Sequence, residues 1–466
     1  MPQTFPSAVR RQMKLILPLT SRLLIHSDLL LTDFFLYPQI GHPQAKPREV
    51  SGGIRGEFVA TDQDSTAERP PLDSAILRGS NQSGMRAHNE RLVLSLVRRD
   101  GAPAKSDIAR MTGLSAQTVS VIVRGLEADG LLVRGEPVRG RIGQPSVPMR
   151  LAPDGAFFFG LKIGRRSVDL VLIDFLGTVI DYRRQTYRYP VPDTVVTFVK
   201  EALPALTRSL PYRQRGRIGG LGIAMPFQFW NWAQYLGAPQ QEMDQWRSRD
   251  IQAEIAALCD LPVHTQNDAN AACGAELVFG TGDKPQDFLY FYIGYFVGGG
   301  LVLNGSLYPG RTGNAGALGS MPVPAPDGTQ RQLISVASTA SLERYLTDAG
   351  ANTDQLWESP ESWDVPADIL HRWLDEVASG LAHAILAAAA VIDFEAVLVD
   401  GWLPQSIRAA LVERTAARLA GLDAAGIELP QVRQGTVGHQ ARSLGAASIA
   451  LSQRYLIDKN ALLKDA

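Results

Sequence analysis

Residues 156–189 read A-F-F-F-G-L-K-I-G-R-R-S-V-D-L-V-L-I-D-F-L-G-T-V-I-D-Y-R-R-Q-T-Y-R-Y. Three runs rich in β-branched and aromatic residues are parted by turn signals at Gly164–Arg166 and Gly177, which predicts three successive strands. A helix over Asp193–Leu210 and a buried strand in I-G-G-L-G-I-A-M-P (218–226) follow. Further on come a helix near Asp250–Cys259, a short strand P-V-H-T-Q (262–266), and the helix A-N-A-A-C-G-A-E-L-V-F that starts after Asn267 and Asp268. The pattern then begins again. Strand F-L-Y-F-Y-I (288–293) runs into a glycine loop G-Y-F-V-G-G-G and a hairpin L-V-L-N-G-S-L-Y. An alanine-rich helix over Leu381–Ile392 leads to strand E-A-V-L-V-D-G, and S-L-G-A-A-S-I-A-L (443–451) is a small-residue helix able to pack closely. Antiparallel strands, then a helix and parallel strands, occurring twice, predict an α/β body of two lobes.

Upstream of that body the composition changes. Residues 78–150 carry twelve Lys/Arg against six Asp/Glu, whereas residues 151–466 carry 26 against 33. A basic module on an acidic body is the distribution that a nucleic-acid-binding domain attached to something else produces. Within it, R-A-H-N-E-R-L-V-L-S-L-V-R-R (86–99) predicts a helix with Leu92, Val93, Leu96 and Val97 on one face, broken at Gly101–Pro103. K-S-D-I-A-R-M (105–111) predicts a short second helix, and Thr112-Gly113-Leu114 a tight turn. Ser115 is a suitable N-cap for a third helix that runs to about Asp129 and stops at Gly130. Val119, Ile122, Val123 and Leu126 fall at i, i+3, i+4 and i+7 and face the core. Ala116, Gln117, Ser120 and Arg124 then face outward. Leu131–Val133 begins a strand that returns through the Gly/Arg-rich R-G-E-P-V-R-G-R-I-G-Q-P, giving a winged helix-turn-helix.

A helix whose first turn exposes small polar residues can enter the major groove. The candidate DNA-binding residues are Ser115, Gln117, Thr118, Ser120 and Arg124 on that helix, with Arg139 and Arg141 on the wing suited to phosphates or the minor groove. The domains expected are a poorly ordered extension over 1–77, the winged helix over 78–152, the body over 153–456 and a tail over 457–466. The first segment alternatively lies upstream of the true start, at Met85 or another downstream start.

Composition removes several classes of function. Over 466 residues the net charge is −1 and 45% of side chains are hydrophobic, so global disorder is excluded. Two cysteines, Cys259 and Cys273, exclude a disulfide scaffold and a Cys-rich zinc site. The longest oily stretch, residues 15–40, is interrupted by Arg22, His26, Asp28 and Asp33, well short of a membrane span. The expectation is a soluble, cytoplasmic protein.

The body resembles the ROK family of sugar kinases and of repressors that fuse a winged helix to a kinase-like domain. The likeness covers about residues 78–456 and rests on motifs in the family's order: G-L-K-I-G-R-R-S, G-I-A-M-P, N-D-A-N-A-A-C-G-A-E, G-Y-F-V-G-G-G-L-V-L-N-G, G-N-A-G-A-L-G-S, V-L-V-D-G and S-L-G-A-A. The fold it implies is the two-lobed actin-like, ribonuclease-H-like ATPase fold. Family kinases carry an Asp-x-Gly-Gly-Thr phosphate loop, where this chain has Lys162-Ile163-Gly164-Arg165-Arg166. A cation replacing a carboxylate is expected to repel a divalent ion, and the two arginines to fill the space of the phosphates. Tyr295 and Phe296 replace Thr and Gly in the second phosphate motif.

The resemblance makes Asn267 and Asp268 the sugar-binding amide and the kinase's general base; Asp268 could equally serve only as a helix cap. Glu343, in A-S-L-E-R-Y, loosely matches a further sugar contact. Ala317 and Ser320 stand where the family has a sugar-binding Glu and a zinc-ligating His, and the family's zinc-binding cysteines are missing. Trp230 and Trp232 are either core or sugar-stacking rings, His264 and His439 lie near the inferred cleft, and His383 reads as a packing histidine.

The resulting expectation is a DNA-binding regulator, most simply a repressor of carbohydrate metabolism. It would have no catalytic residues, cofactor or metal, and its body would sense a sugar or sugar derivative. It would act as a homodimer or homotetramer on a pseudo-palindromic operator in double-stranded DNA, with no membrane partner. The rivals are an active ATP-dependent sugar kinase carrying a winged helix, and a regulator controlled by a protein partner.

Overall fold

A computed structural model describes residues 82–137, 146–325 and 327–457, all within the unit Pro71–Ala466. The extension over 1–77 lies outside the described residues.

Three helices open the described chain: α1 (Gln82–Asp100), α2 (Lys105–Thr112) and α3 (Ala116–Ala128). Gly113 ends α2 at φ +72°, a backbone conformation that L side chains resist, and so turns the chain into α3. The Ser115 side chain accepts the Thr118 N–H and caps α3, as the sequence predicts. Val119, Ile122, Val123 and Leu126 are buried against Val93, Leu94, Val97 and Ile108. Strands β1 (Leu132–Arg134) and β2 (Met149–Leu151) pair antiparallel, Leu132 opposite Leu151, and form the stem of the wing.

The body follows. β3 (Phe157–Ile163), β4 (Ser167–Ile173) and β5 (Val179–Thr186) are antiparallel neighbours. After α4 (Pro192–Ser209), β6 (Ile218–Met225) joins β3 in parallel. Helices α5 (Ala233–Leu236), α6 (Gln240–Ser248) and α7 (Ile251–Ala256) then precede β7 (Val263–Asn267), completing a sheet of order β5-β4-β3-β6-β7. Helix α6 was not evident in the sequence: its only fully buried side chains are Met243 and Trp246, too few to set a period.

Helix α8 (Asp268–Phe279) crosses to the second lobe, where the plan repeats. β8 (Phe288–Ile293), β9 (Gly298–Leu303) and β10 (Ser306–Leu307) are antiparallel. The hairpin β11 (Pro322–Pro324) and β12 (Gln330–Gln332), helices α9 (Leu333–Val336), α10 (Thr339–Asp348) and α11 (Gln355–Glu358), and the long α12 (Ala367–Ala389) come next. β13 (Ala396–Gly401), α13 (Gln405–Ala420) and β14 (Gln431–Gln434) complete a sheet of order β10-β9-β8-β13-β14. Helix α12 starts at Ala367, well before the predicted Leu381, because Trp373, Leu374, Val377 and Ala378 extend its buried stripe.

The predicted glycine loop is partly strand. Gly298–Gly300 lie in β9, and a Cβ at Gly299 would stand 2.3 Å from the Tyr290 carbonyl, while one at Gly300 would stand 2.6 Å from Cys273 Cβ. These glycines let β9 press against β8 and α8.

Helix α14 (Ala441–Tyr455) returns from the second lobe to the first and packs as the small residues predict. A Cβ on Gly222 would lie 1.8 Å from the Ala446 carbonyl, and one on Gly445 would lie 2.1 Å from the Ala271 carbonyl. Backbone therefore meets backbone on both faces of α14. Among the described residues no helix is long and apolar enough to cross a membrane.

Candidate DNA-facing helix and interlobe cavity

Burial of the apolar stripe of α3 leaves Ala116, Gln117, Val121 and Arg124 exposed and Ser120 half-buried. Gln117, Val121 and Arg124 stand one and two turns apart on one side. Val121 was not singled out in the sequence, although it lies four residues beyond Gln117. It is 48% exposed. The Thr118 hydroxyl is 2.8 Å from that of Ser115, so both serve the cap as well as the surface. Arg124 donates from Nε to the Ser120 carbonyl at 3.1 Å and lies along the helix. Arg139 and Arg141 lie outside the described residues. On the wing stem, Arg134 makes a two-point contact with Glu127 of α3, at 2.5 and 3.2 Å, which locks wing to helix.

The winged helix is not loosely tethered. Arg98 of α1 donates to the Phe175 carbonyl and stacks over the Phe175 and Phe279 rings at 5.1 and 5.9 Å. Burial pulls the Arg98 guanidinium down to about 10. Tyr455, the last residue of α14, meets Phe175 and Phe158 edge-on, and the Ile457 N–H donates to Ser95 Oγ of α1 at 3.0 Å. One apolar cluster joins α1 and α3 to β3, β4, α8 and α14.

In the cleft, Lys162 of β3 stands opposite Asp169 of β4. Its ammonium lies 2.8 Å from Asp169 Oδ2 and 2.7 Å from Ser167 Oγ. The pair is buried, and Asp169 also accepts from the Tyr182 hydroxyl at 2.9 Å with Arg184 at 3.4 Å. Burial pulls the ammonium down to about 8 against the attraction of Asp169. Burial alone would raise the Asp169 carboxyl, but Lys162 and Arg184 outweigh it and hold it low.

The expectation of a repelling cation is therefore corrected: Asp169, 2.8 Å away, neutralises Lys162. Lys162 folds back under the loop, where a Cβ on Gly164 would lie 2.6 Å from its Cε. The Tyr187 hydroxyl ties the same loop by donating to the Gly164 carbonyl at 2.7 Å.

Three arginines of the first lobe reach aromatic rings of the second. Arg165 lies 4.6 Å from the Phe296 ring centre, Arg166 5.4 Å from that of Tyr295, and Arg184 4.5 Å from that of Trp402. Arg184 also donates to the Trp357 carbonyl at 3.2 Å, and Arg166 stands 3.9 Å from Glu343. Side chains of Arg165, Arg166 and Arg184 thus occupy part of the space between the lobes.

Beside this filled zone a cavity of about 430 Å³ remains, within the range of small-molecule sites. Asn267 and Asp268 line it, with Arg165, Trp232, Phe296, Ala317, Ser320 and Arg442. The sequence had left open whether Asp268 is merely a cap. Asn267 is the cap, its Oδ1 accepting from the Ala269 and Asn270 N–H groups at 3.0 and 3.3 Å. Asp268, 7% exposed, instead pairs with Arg442 of α14 at 3.0 Å, and Arg442 lies 4.6 Å from the Tyr292 ring centre. Arg442 had no signal in the sequence, since only the return of α14 brings it to α8.

Glu343 does not line the cavity; its carboxylate accepts from Trp357 Nε1 at 3.1 Å. Trp232 lines the cavity and stacks on Phe296 at 4.7 Å, whereas Trp230 packs against the first-lobe core. His264 and His439 do not line it either, and His383 Nδ1 bonds to the Ser379 carbonyl at 2.8 Å, as a packing histidine would. Among the described residues no three of His, Cys, Asp and Glu gather as a metal site needs.

The sequence is similar to known proteins along both parts. A model described as ROK family matches residues 158–453, more than half of the chain, and one described as MarR family matches residues 86–142. Protein y4fQ of Sinorhizobium fredii is 26% identical over 371 residues, 79% of this chain and 91% of that protein. The xylose repressor of Bacillus subtilis is 23% identical over 244 residues, 52% of this chain and 62% of the repressor's own length. The solved structure of a ROK family transcriptional regulator, described as a homolog of the E. coli MLC protein, superposes with TM-score 0.57 at 18% identity. It covers 82% of this chain and 99% of that one, and shows the shared fold. The chain belongs to the ROK family, in the arrangement of its transcriptional regulators, with a MarR-type winged helix ahead of the ROK domain.

Proposed function

We propose that this protein is a DNA-binding transcriptional repressor of carbohydrate metabolism whose ROK body senses a sugar or sugar derivative and has lost kinase activity. The observation that carries the proposal is α14. Its first turn places Arg442 on Asp268 in the cavity, and its far end holds α1 of the winged helix through Tyr455 and the Ile457–Ser95 bond. Fifteen residues at 1.5 Å each make a rod of about 22 Å from cavity to DNA-binding domain. A sugar that engages Asp268 competes with Arg442, and a shift of α14 changes the set of α3 on DNA. Only an effector that binds one arrangement better than the other can move that equilibrium.

Two copies in a symmetric oligomer would space their α3 helices for a pseudo-palindromic operator. Relatives named xylose repressor support the sugar-responsive reading. Loss of catalysis is supported by the ion pair and stacked arginines in the phosphate region and by Arg442 on the would-be general base. A base held by a guanidinium must break that pair before it can take a proton.

The test has two arms. Genomic footprinting should recover a palindromic site whose neighbouring genes handle a sugar, and that sugar should release the purified protein from it. A coupled ATP assay over a sugar panel should show no turnover. ATP-dependent phosphorylation abolished by Asp268→Ala would overturn the regulator-only reading.

A further inference from the structure

The charge of the cavity does not balance. Three of its lining side chains carry formal charge: Asp268, Arg442 and Arg165. Asp268 and Arg442 answer one another at 3.0 Å. Arg165 makes no ion pair or hydrogen bond with any described residue, and its buried Nε has no acceptor. Its guanidinium carbon lies over the Trp232 and Phe296 rings, with their centres 5.1 and 4.6 Å away.

The two rings hold the guanidinium at the cavity that Arg165 lines, and no described residue accepts a hydrogen bond from it. Burial pulls the group down to about 10, yet it stays protonated at neutral pH. Arg165 is half-buried, and the carboxylate that attracts it, Asp268, is already paired with Arg442, so two guanidinium groups share one negative charge and an anionic ligand would supply the second. The planar fork suits an oxyanion that can take two parallel hydrogen bonds. The rest of the lining is of another kind: Gln228, Asn231, Thr312, Asn314 and Ser320 offer neutral donors and acceptors suited to hydroxyl groups.

We infer that the effector is an acidic sugar, one bearing a phosphate or a carboxylate, and that Arg165 is the residue that takes its anionic group. The inference rests on the proposal that this cavity is the sugar-sensing site, and it narrows the class of effector. It also places the ligand where the lobes meet, since Trp232 belongs to the first lobe and Phe296 to the second.

The test is calorimetry on the full chain with glucose 6-phosphate, N-acetylglucosamine 6-phosphate, glucuronate and galacturonate. Glucose, xylose and inorganic phosphate are the comparison ligands. At least one acidic sugar should bind about tenfold or more tightly than its neutral parent, and the phosphate and uronate arms show which anion is used. Arg165→Met keeps the chain stacked on Trp232 and Phe296 without the charge and should abolish that preference, whereas Arg165→Lys should retain part of it. Unchanged melting of the variants confirms that they fold. Should Arg165→Met misfold, the wild-type panel and Arg165→Lys still decide. A neutral sugar that binds as tightly as its acidic form overturns this inference and leaves the sensing reading intact. Silence from every sugar overturns both.

Discussion

Replacing Asp169 by Asn tests whether a buried ion pair fills the region where a kinase would hold phosphates. The wild-type pair joins side chains 9% and 6% exposed across 2.8 Å. In Asp169→Asn the Lys162 ammonium keeps Ser167 Oγ at 2.7 Å but loses its counter-charge, with Arg184 and Arg442 still acting against it. Breaking one half of a buried pair typically destabilises by about 3–5 kcal/mol, and that is the loss expected near neutral pH.

The pH dependence has a definite sign. Lys162 is depressed from 10.5 to about 8 on folding, so the stability linked to its neutral form is present above about pH 10.5 and lost as pH falls through about 8. Without Asp169 the folded value drops further, and the loss continues below pH 8 at about 1.4 kcal/mol per pH unit until the new value is passed. The difference between variant and wild type should therefore grow as pH falls from about 8 toward the variant's own value. Urea unfolding followed by tryptophan fluorescence at several pH values reads it directly. A destabilisation that stays flat across that range refutes the claim that Asp169 holds Lys162 as a buried cation. The double variant Lys162→Met with Asp169→Leu should recover part of the loss, because the uncompensated ammonium is gone, while Arg184 and Tyr182 still lack their carboxylate partner.

Two further outcomes follow from the other sites. Gln117→Ala should change discrimination at one operator position by about 1–3 kcal/mol while leaving non-specific DNA affinity nearly intact, read by competition among variant duplexes. Equal loss on all duplexes would show that Gln117 does not face a base. Arg442→Met should leave Asp268 without its cation and uncouple the cavity from α14. Operator binding should persist while release by the effector is lost, measured by fluorescence anisotropy; a fully retained response would remove α14 from the coupling path.

Lys162 shows how a reading of residue types can reach a sound region by an incomplete argument. A lysine where a carboxylate is expected suggests repulsion of a metal ion, because the sequence gives no view of the adjacent strand. The β3–β4 register puts Asp169 directly opposite, where its carboxylate neutralises the cation. Glu343 shows the converse: its motif matches loosely, and Trp357 and Arg166 hold its carboxylate outside the cavity.

What the amino-acid sequence determined by itself is local or periodic. Ser115 and Gly113 set the limits of the turn before α3, because capping and a left-handed backbone depend on residues within a few positions. The twice-repeated order of strands and helices was likewise readable, since burial of one face imposes its period on the chain. Tertiary structure alone decided which distant groups share a charge or a cavity: Arg442 on Asp268, Arg165 on Trp232 and Phe296, Ile457 on Ser95. These contacts join residues separated by up to hundreds of positions. Their energies depend on separations of a few ångströms and on burial, and both are set only when the two lobes and the winged helix pack together.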